Sequence, residues 1–257
     1  KLKLIFMRYI VLFFIVNVVF SQEKPKPELT EVWEPEPVIV TPGKNNQPPS
    51  DAIVLFDGKD LSQWVNARGG DASWILNNDR SGSMTVTRNG GIETKEEFGS
   101  VQFHIEWKTP TKMEGKGQGR GNSGIIFQRR FEVQILDSYN NRTYSNGQAA
   151  SIYKQHAPLV NSSRPPGEWQ SYDIIFIEPE FNEVGTTITR GSFTVFHNGV
   201  LVQNNVQILG TTEYIGMPLI GEKQTSKYMP GNNSRKTIYI QDHGNPVSFR
   251  NIWLRKL

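Results

Sequence analysis

The sequence predicts an all-β fold, a sandwich or jelly roll of about 200 residues, over residues 51–257. Apolar residues after Asp51 recur in short alternating runs, which is the period of a half-buried strand. No window sustains the period of a helix. Gly- and Asn-rich turn signals separate the runs, and His197-Asn198-Gly199 between two apolar runs predicts a hairpin.

Ten runs in chain order predict strands, because each is rich in apolar or β-branched residues and is bounded by turn signals. They are Ile53–Phe56, Met84–Thr87, Val101–Lys108, Gly124–Arg129, Phe131–Asp137, Trp169–Ile177, Ser192–His197, Leu201–Gln203, Ile238–Asp242 and Phe249–Leu257.

The first 21 residues are typical of a secretory signal. Lys1, Lys3 and Arg8 precede an apolar run over residues 9–20 that closes on Ser21. The run is shorter than the roughly 20 residues that a membrane-spanning helix needs. We therefore predict that residues 1–21 are a cleaved signal peptide and that the protein is exported across the inner membrane to the periplasm. An uncleaved membrane anchor is the alternative.

Export changes what the charge implies. The formal net charge of +3 falls to zero when the three basic residues of the signal are removed, because that stretch contains no acidic residue. A neutral mature chain argues against a nucleic acid partner, which would need a basic surface. The absence of cysteine excludes disulfides and lipid attachment at an N-terminal cysteine. Nothing indicates an obligate protein partner or stable membrane insertion after signal cleavage.

Residues 22–50 are rich in proline, which opposes regular helix and sheet, so we predict an extended linker there. Residues 51–257 show no internal repeat and no further shift in composition. They predict a single domain that holds together by its apolar core.

Two predicted strands each place a polar pair on one face. Alternation puts Glu132 and Gln134 opposite the apolar residues of their strand, and it puts Gln241 and His243 together near the carboxyl end. A carboxylate, a histidine and two amides suit a sugar, which presents many hydroxyls and few charges. We therefore predict that Glu132 and His243 line one shared pocket.

A series of motifs resembles a known family, the 3-keto-disaccharide hydrolase domain, long a domain of unknown function. No single motif is specific, but the series runs in the family's order over nearly all of residues 51–257. The resemblance implies a concanavalin/laminin-G-like β-sandwich jelly roll, export in bacteria and cleavage of glycosides that carry a ketone at carbon 3. The motifs are Phe56-Asp57-Gly58-Lys59-Asp60-Leu61-Ser62-Gln63-Trp64, Glu106-Trp107, Gly121-Asn122-Ser123-Gly124, Phe131-Glu132-Val133-Gln134-Ile135-Leu136-Asp137, Pro166-Gly167-Glu168-Trp169-Gln170, His197-Asn198-Gly199 and Gln241-Asp242-His243-Gly244 with Phe249-Arg250-Asn251-Ile252.

The activity implied by the resemblance needs a base for the proton on carbon 2, an acid for the leaving oxygen and donors for the enolate. We expect Glu132 to be the base and His243 to be a proton donor or second base. The expected substrate-binding residues are Arg120, Asn122, Gln134, Tyr153 and Gln241, with Tyr153 able to donate to the leaving group.

Each expectation has a structural alternative: an ion pair for Glu132, a turn brace for His243 and a solvated loop for Arg120. A carbohydrate-binding module of the same fold is the alternative function. Ordinary hydrolysis by two carboxylates is a third, and it would require Asp137, Glu106 or Asp173 to face Glu132.

No cofactor is certain from the sequence. The four histidines show no His-x-x-x-His pairing, so a zinc hydrolase signature is missing. A divalent cation held by carboxylate and histidine ligands from distant strands remains an open alternative, because a cation at the ketone would serve the chemistry.

Overall fold

The computed structural model describes residues 24–112, 114–221 and 236–257, so the predicted signal peptide lies outside the described residues. Within these ranges, apart from three short 3₁₀ segments, the regular structure is β. The strands are β1 (Ile53–Phe56), β2 (Trp64–Asn66), β3 (Ile75–Leu76), β4 (Met84–Thr85), β5 (Ile92–Thr94), β6 (Val101–Lys108), β7 (Ser123–Phe127), β8 (Phe131–Ile135), β9 (Gln170–Ile177), β10 (Glu180–Phe181), β11 (Thr187–Thr189), β12 (Ser192–His197), β13 (Val200–Gln207), β14 (Ile238–Ile240) and β15 (Ser248–Lys256).

Two antiparallel sheets form the sandwich. The larger has the order β13-β12-β9-β6-β15-β4-β3, with β1 also paired to β15, and the smaller has the order β2-β5-β14-β7-β8. A separate hairpin pairs β10 with β11. The predicted β-sandwich jelly roll is confirmed.

Phenylalanines from the two sheets meet in the core. Phe127 of the smaller sheet contacts Phe103, Phe176 and Phe193 of the larger, with ring centroids 5.5, 4.9 and 5.4 Å away. All four rings are buried. Such aromatic pairs add stability beyond the area that they bury, so this cluster ties the sheets together.

All ten predicted runs contain a strand, and five of the strands (β4, β7, β8, β14 and β15) end earlier than predicted, three of them for identifiable reasons. β7 ends at Phe127 because Gln128 and Arg129 have φ angles of 53° and 56°, which form a turn. β8 ends at Ile135, before the amide of Asp137 bonds Arg120. β14 ends at Ile240, before a loop that is held by side-chain hydrogen bonds.

The chain divides into two compact units, residues 1–39 and 40–257. In the first, Pro27–Leu29 form a 3₁₀ turn and all the described residues are exposed. In the second, the carbonyl of Asn46 accepts hydrogen bonds from Asn251 Nδ2 and Trp253 Nε1 at 2.8 and 3.2 Å. Part of the proline-rich stretch thus packs on the β body. In the described part of the chain, no helix is long and apolar enough to cross a membrane.

Candidate active site

One row of side chains runs across the smaller sheet on the side opposite the core. Register places Val65, Glu93, Tyr239, Ile126 and Glu132 side by side on β2, β5, β14, β7 and β8. The neighbouring row, which includes Ile92 and Val133, belongs to the core. We call the outward side of this sheet the polar face.

The next outward row contains two glycines. The backbone amide of Gln241 donates a hydrogen bond to the carbonyl of Gly124, and Gly124 pairs with Gln134 on the adjacent strand. A Cβ at Gly124 would clash with the Glu132 carboxylate, and one at Gly91 would clash with the Tyr239 ring. The Glu132 carboxylate therefore lies over Gly124, between the strands that carry Gln134 and Gln241.

The backbone of Glu132 is fixed on both sides. Its amide donates to Thr212 Oγ1 at 3.0 Å, and its carbonyl accepts from the Tyr153 amide at 3.0 Å. The side chain is 1% exposed. Burial disfavours the charged carboxylate and raises the pKa of Glu132 to about 8. A carboxyl that titrates near neutral pH suits a general base.

Arg129 is a cation of the polar face that the sequence reasoning missed. Its guanidinium lies 4.5 Å from the centre of the Tyr239 ring, and Nη1 is 3.5 Å from Glu93 Oε2. Thr237 Oγ1 also donates to Glu93 Oε2 at 2.8 Å. Burial raises the pKa of Tyr239, the charge of Arg129 opposes that rise, and the charges of Asp242 and Glu132 add to it. Arg129, Tyr239 and Glu132 thus share one electrostatic environment.

Tyrosines stand beside Glu132. The hydroxyls of Tyr153 and Tyr144 are 2.7 Å apart, and Lys154 Nζ lies 4.6 Å from the Tyr144 ring and 5.1 Å from the Tyr214 ring. Burial raises the pKa of Tyr144, the hydrogen bond with Tyr153 opposes that rise, and Tyr214 and Glu132 add to it. The predicted residue Tyr153 is thus joined to Glu132 through its amide and to a second phenol through its hydroxyl.

Arg120 and Asn122 hold the loop before β7. Arg120 Nε donates to the buried Asp137 Oδ2 at 2.7 Å. Asn122 Nδ2 donates to the carbonyl of Gln118 at 2.7 Å, and Gln118 Oε1 accepts from Gln134 Nε2 at 2.9 Å. These contacts connect the loop to the Gln134 side of the polar face. The expectation that Arg120 and Asn122 touch substrate stays a prediction.

His243 lies exposed in the loop after β14. Asp242 anchors this loop by accepting from the amides of Gly90 and Gly244, both at 2.9 Å. Among the described residues, no hydrogen bond or ion pair joins His243 to Glu132. The loop continues from Gln241, which does lie on the polar face, and the shared pocket of Glu132 and His243 stays a prediction.

The carboxylates of Glu106 and Asp173 form ion pairs away from Glu132. Glu106 and Asp173 lie on the larger sheet, where Glu106 Oε2 accepts from Arg250 Nε at 2.6 Å and Asp173 contacts His104 Nδ1 at 2.6 Å. Burial opposes the charge of Glu106, but hydrogen bonds from His104, Asn251 and Arg250 outweigh it and lower its pKa to about 2. Their strand neighbours Ile105 and Tyr172 fill the core that separates them from Glu132.

The described residues contain no group of three or more His, Cys, Asp or Glu side chains arranged to hold a metal ion. A divalent cation stays the open alternative that the sequence left. The buried amides and phenols of the polar face supply hydrogen-bond groups without it.

A buried carboxyl on the same outward face of the β-sandwich as two glutamines and several tyrosines is chemically suited to a hydroxyl-rich ligand. Residues 51–255 match the family model described as the 3-keto-alpha-glucoside-1,2-lyase-like domain, and the chain belongs to that family. The predicted family resemblance and the predicted class of enzyme, a glycoside-cleaving hydrolase, are thereby confirmed.

Individual relatives agree with the family match. A candidate glycosyl hydrolase of known structure from Parabacteroides distasonis is 48% identical, with a TM-score of 0.82, over 90% of this chain and 97% of that one. The 3-keto-disaccharide hydrolase of Bacteroides thetaiotaomicron is 26% identical over 80% of this chain and 78% of its own length. A second candidate glycosyl hydrolase from P. distasonis, 19% identical with a TM-score of 0.55 over 80% of this chain and 94% of that one, shares the fold.

Proposed function

We propose that this protein cleaves 3-keto-glycosides, including 3-keto-disaccharides, by elimination and hydration, with Glu132 as the base. One observation carries the proposal. The buried carboxyl of Glu132, with a pKa of about 8, lies over Gly124, the glycine that stands between Gln134 and Gln241 on the polar face. A 3-keto sugar offers the matching reactivity, because its ketone acidifies the proton on carbon 2.

The proposed steps balance without a redox partner. Ionised Glu132 removes the proton from carbon 2, and the electron pair of that bond enters the enolate. The enolate then expels the oxygen on carbon 1 as its bond breaks, and that oxygen takes a proton to leave as an alcohol. Water adds back across carbons 1 and 2, so the net products are the free 3-keto sugar and the alcohol.

The residues around Glu132 suit the remaining roles in the proposed reaction. Gln134 and Gln241, which flank Gly124 on the polar face, would bind substrate hydroxyls and the enolate oxygen. Arg129 would add positive charge on the same face. Tyr153 would donate to the leaving oxygen and recover its proton through Tyr144, with which it shares a 2.7 Å hydrogen bond. His243 would serve as a second proton donor from the neighbouring loop.

A non-catalytic carbohydrate-binding module is less well supported. Such a module needs hydroxyl-binding groups but gains nothing from a buried carboxyl, and burying one costs stability. Two-carboxylate hydrolysis is also less well supported, because Glu106 and Asp173 lie across the core and Asp137 is bonded to Arg120.

The test is turnover of a purified 3-keto-glucoside, followed as released sugar, with and without a chelator. We expect the wild-type protein to cleave it, Glu132→Gln to lose at least about 100-fold in rate, and the exposed control Glu168→Gln to match the wild type. Undiminished turnover in Glu132→Gln would remove Glu132 from the mechanism. A loss of rate with chelator, restored by added cation, would establish the metal dependence that the sequence left open.

Unoxidised disaccharide supplies the second arm of this test. Without the ketone, the proton on carbon 2 is not acidic, so we expect no cleavage. Rapid cleavage of unoxidised sugar would favour ordinary glycoside hydrolysis.

We also propose that the enzyme works after export, on the basis of the basic and apolar pattern of residues 1–21. Cell fractionation with an antibody to the mature domain would test this, and recovery in the cytoplasm at full length would contradict it.

A further inference from the structure

Two tyrosine rings and a lysine form a cluster beside β8, the strand of Glu132 at the edge of the smaller sheet. Lys154 Nζ lies 4.6 Å from the centre of the Tyr144 ring and 5.1 Å from the centre of the Tyr214 ring. Both tyrosines are partly open to solvent, with 37% of Tyr144 and 54% of Tyr214 exposed. We call Tyr144, Lys154 and Tyr214 the aromatic cluster.

Both sides of the aromatic cluster are tied to the backbone of Glu132. Thr212, two residues before Tyr214, accepts a hydrogen bond from the Glu132 amide at 3.0 Å. Tyr153, which precedes the lysine of the cluster, donates its amide to the Glu132 carbonyl at 3.0 Å. The charge of Glu132 also contributes to the raised pKa of Tyr144. The cluster therefore adjoins the candidate base, on the side of Tyr153.

The cluster is held in place before any ligand binds. Lys154 has a φ angle of 62°, which non-glycine residues seldom adopt, and its amide donates to the carbonyl of Asn146 at 2.8 Å. The Tyr144 ring lies over Gly147, where a Cβ would clash with it, and its hydroxyl is 2.7 Å from that of Tyr153. Fixed rings lower the entropic cost of ordering a ligand against them.

The loop that carries Tyr214 presents further apolar side chains to solvent. Ile215, Met217 and Leu219 are 82%, 81% and 58% exposed. The loop is closed by a hydrogen bond of 2.9 Å from the Thr211 amide to the Leu219 carbonyl. Exposed apolar surface of this extent marks an interaction site. Because the loop begins where the chain bonds the backbone of the candidate base, we assign this surface to an apolar part of the substrate.

The lysine of the cluster favours an aromatic ring over a second sugar. Among the described residues, the Lys154 ammonium makes no ion pair or hydrogen bond, and its contacts are the faces of the two tyrosine rings. A cation is attracted to the face of an aromatic ring, whereas a pyranose ring has no such face. The apolar and phenolic side chains around the lysine favour an uncharged ring over an anionic group.

We infer that the aromatic cluster binds an aromatic leaving group of the 3-keto-glycoside, which packs against Tyr214 and Tyr144 beside Lys154. The inference rests on the proposed function, because Tyr153, the proposed donor to the leaving oxygen, stands on the same side of Glu132. The enzyme would therefore bind an aryl 3-keto-glycoside more tightly than an alkyl one.

The test compares phenyl and methyl 3-keto-glucoside in the wild type and in Tyr214→Ala. Loss of the ring should lower the ratio of kcat/KM for the phenyl over the methyl substrate about tenfold. The intrinsic reactivity of the phenyl leaving group cancels, because each variant's ratio is compared with that of the wild type. An unchanged ratio in Tyr214→Ala would overturn the inference.

Two control variants accompany this test. Tyr214→Phe keeps the ring and should keep the ratio, so a tenfold loss there would assign the effect to the hydroxyl and contradict the inference. Ile188→Ala removes an exposed apolar side chain from β11, in the separate hairpin, and should leave the ratio unchanged.

A binding measurement separates this inference from the proposed chemistry. Calorimetric titration of both glucosides into Glu132→Gln, and into the same variant with Tyr214→Ala added, requires no turnover. About tenfold tighter binding of the phenyl compound, lost in the double variant, supports the inference even if the wild type cleaves neither substrate, which would refute only the elimination chemistry. Equal affinity of Glu132→Gln for the two glucosides would refute the inference even if the wild type is active.

Discussion

Replacement of Glu132 by glutamine should stabilise the protein while it abolishes turnover. The substitution keeps the shape of the side chain and removes its ability to ionise. Burial raises the pKa of Glu132 from an ordinary 4.5 to about 8, so the folded protein binds this proton more tightly than the unfolded chain does. The wild-type protein is therefore fully stable, with respect to this group, only below about pH 4.5.

As the pH rises from 4.5 to 8, the unfolded chain loses this proton while the folded protein retains it, and stability falls. One pKa unit corresponds to about 1.4 kcal/mol, so the total loss is about 5 kcal/mol above pH 8 and about 3 kcal/mol at pH 7. Glutamine does not titrate and avoids this loss. For a protein of this size, about 3 kcal/mol corresponds to a rise in Tm of roughly 6–12 °C at pH 7.

Thermal unfolding of both proteins at pH 5, 7 and 9 checks the prediction, with activity measured in parallel. The difference in Tm should be small at pH 5 and should grow toward pH 9. The wild-type kcat/KM should rise about tenfold per pH unit up to about pH 8 and then level off, because only the ionised carboxylate accepts a proton. Parallel Tm curves, or a variant that is less stable at pH 9, would show that Glu132 is not the buried acid described above.

Two further substitutions test the surroundings of Glu132. Gly124→Ala places a methyl group where the buried Glu132 carboxylate lies, so the carboxylate must shift and we expect a loss in kcat of about 100-fold. Gly119→Ala, which meets nothing within 4 Å, is the control and should stay active, and equal activity in both would contradict the assigned geometry. Tyr153→Phe removes the 2.7 Å hydrogen bond to Tyr144 and should lower kcat about tenfold or more for glycosides with a poor leaving group, and less for an activated aryl glycoside; a uniform loss for both would indicate a structural role instead.

The longer strands could be predicted from the sequence because alternation is a local property. Val101–Lys108 and Ser192–His197 have the predicted bounds. The short strands Trp64–Asn66, Ile75–Leu76, Ile92–Thr94, Glu180–Phe181 and Thr187–Thr189 were not predicted. Outside a longer apolar run, two or three residues carry too little alternation to be recognised, and their pairing depends on a partner that is distant in sequence.

For the site, the direction of the strand side chains could likewise be predicted from the sequence, but their contacts could not. The outward direction of Glu132, Gln134 and Gln241 follows from strand parity alone. The position of the Glu132 carboxylate depends on a glycine in the neighbouring strand, and no local pattern reveals that contact. Arg129 was missed because it occupies a left-handed turn without glycine, a conformation that non-glycine residues rarely adopt. The pairing of His243 with Glu132 rested on extending the alternation beyond Ile240, where β14 ends.

The two glycines of the polar face explain how a sheet surface can hold a buried acid. A side chain on an outward face is normally solvated, and a solvated Glu132 would titrate near pH 4.5 and be a weak base. At Gly124 the missing side chain leaves space that the Glu132 carboxylate fills, and at Gly91 the Tyr239 ring does the same. Each glycine weakens its strand by roughly 0.5–1 kcal/mol relative to alanine, and the buried carboxyl costs several times more at neutral pH. The sandwich thus gives up stability at Glu132, as expected where activity and stability compete and as the proposed role of Glu132 as a base requires.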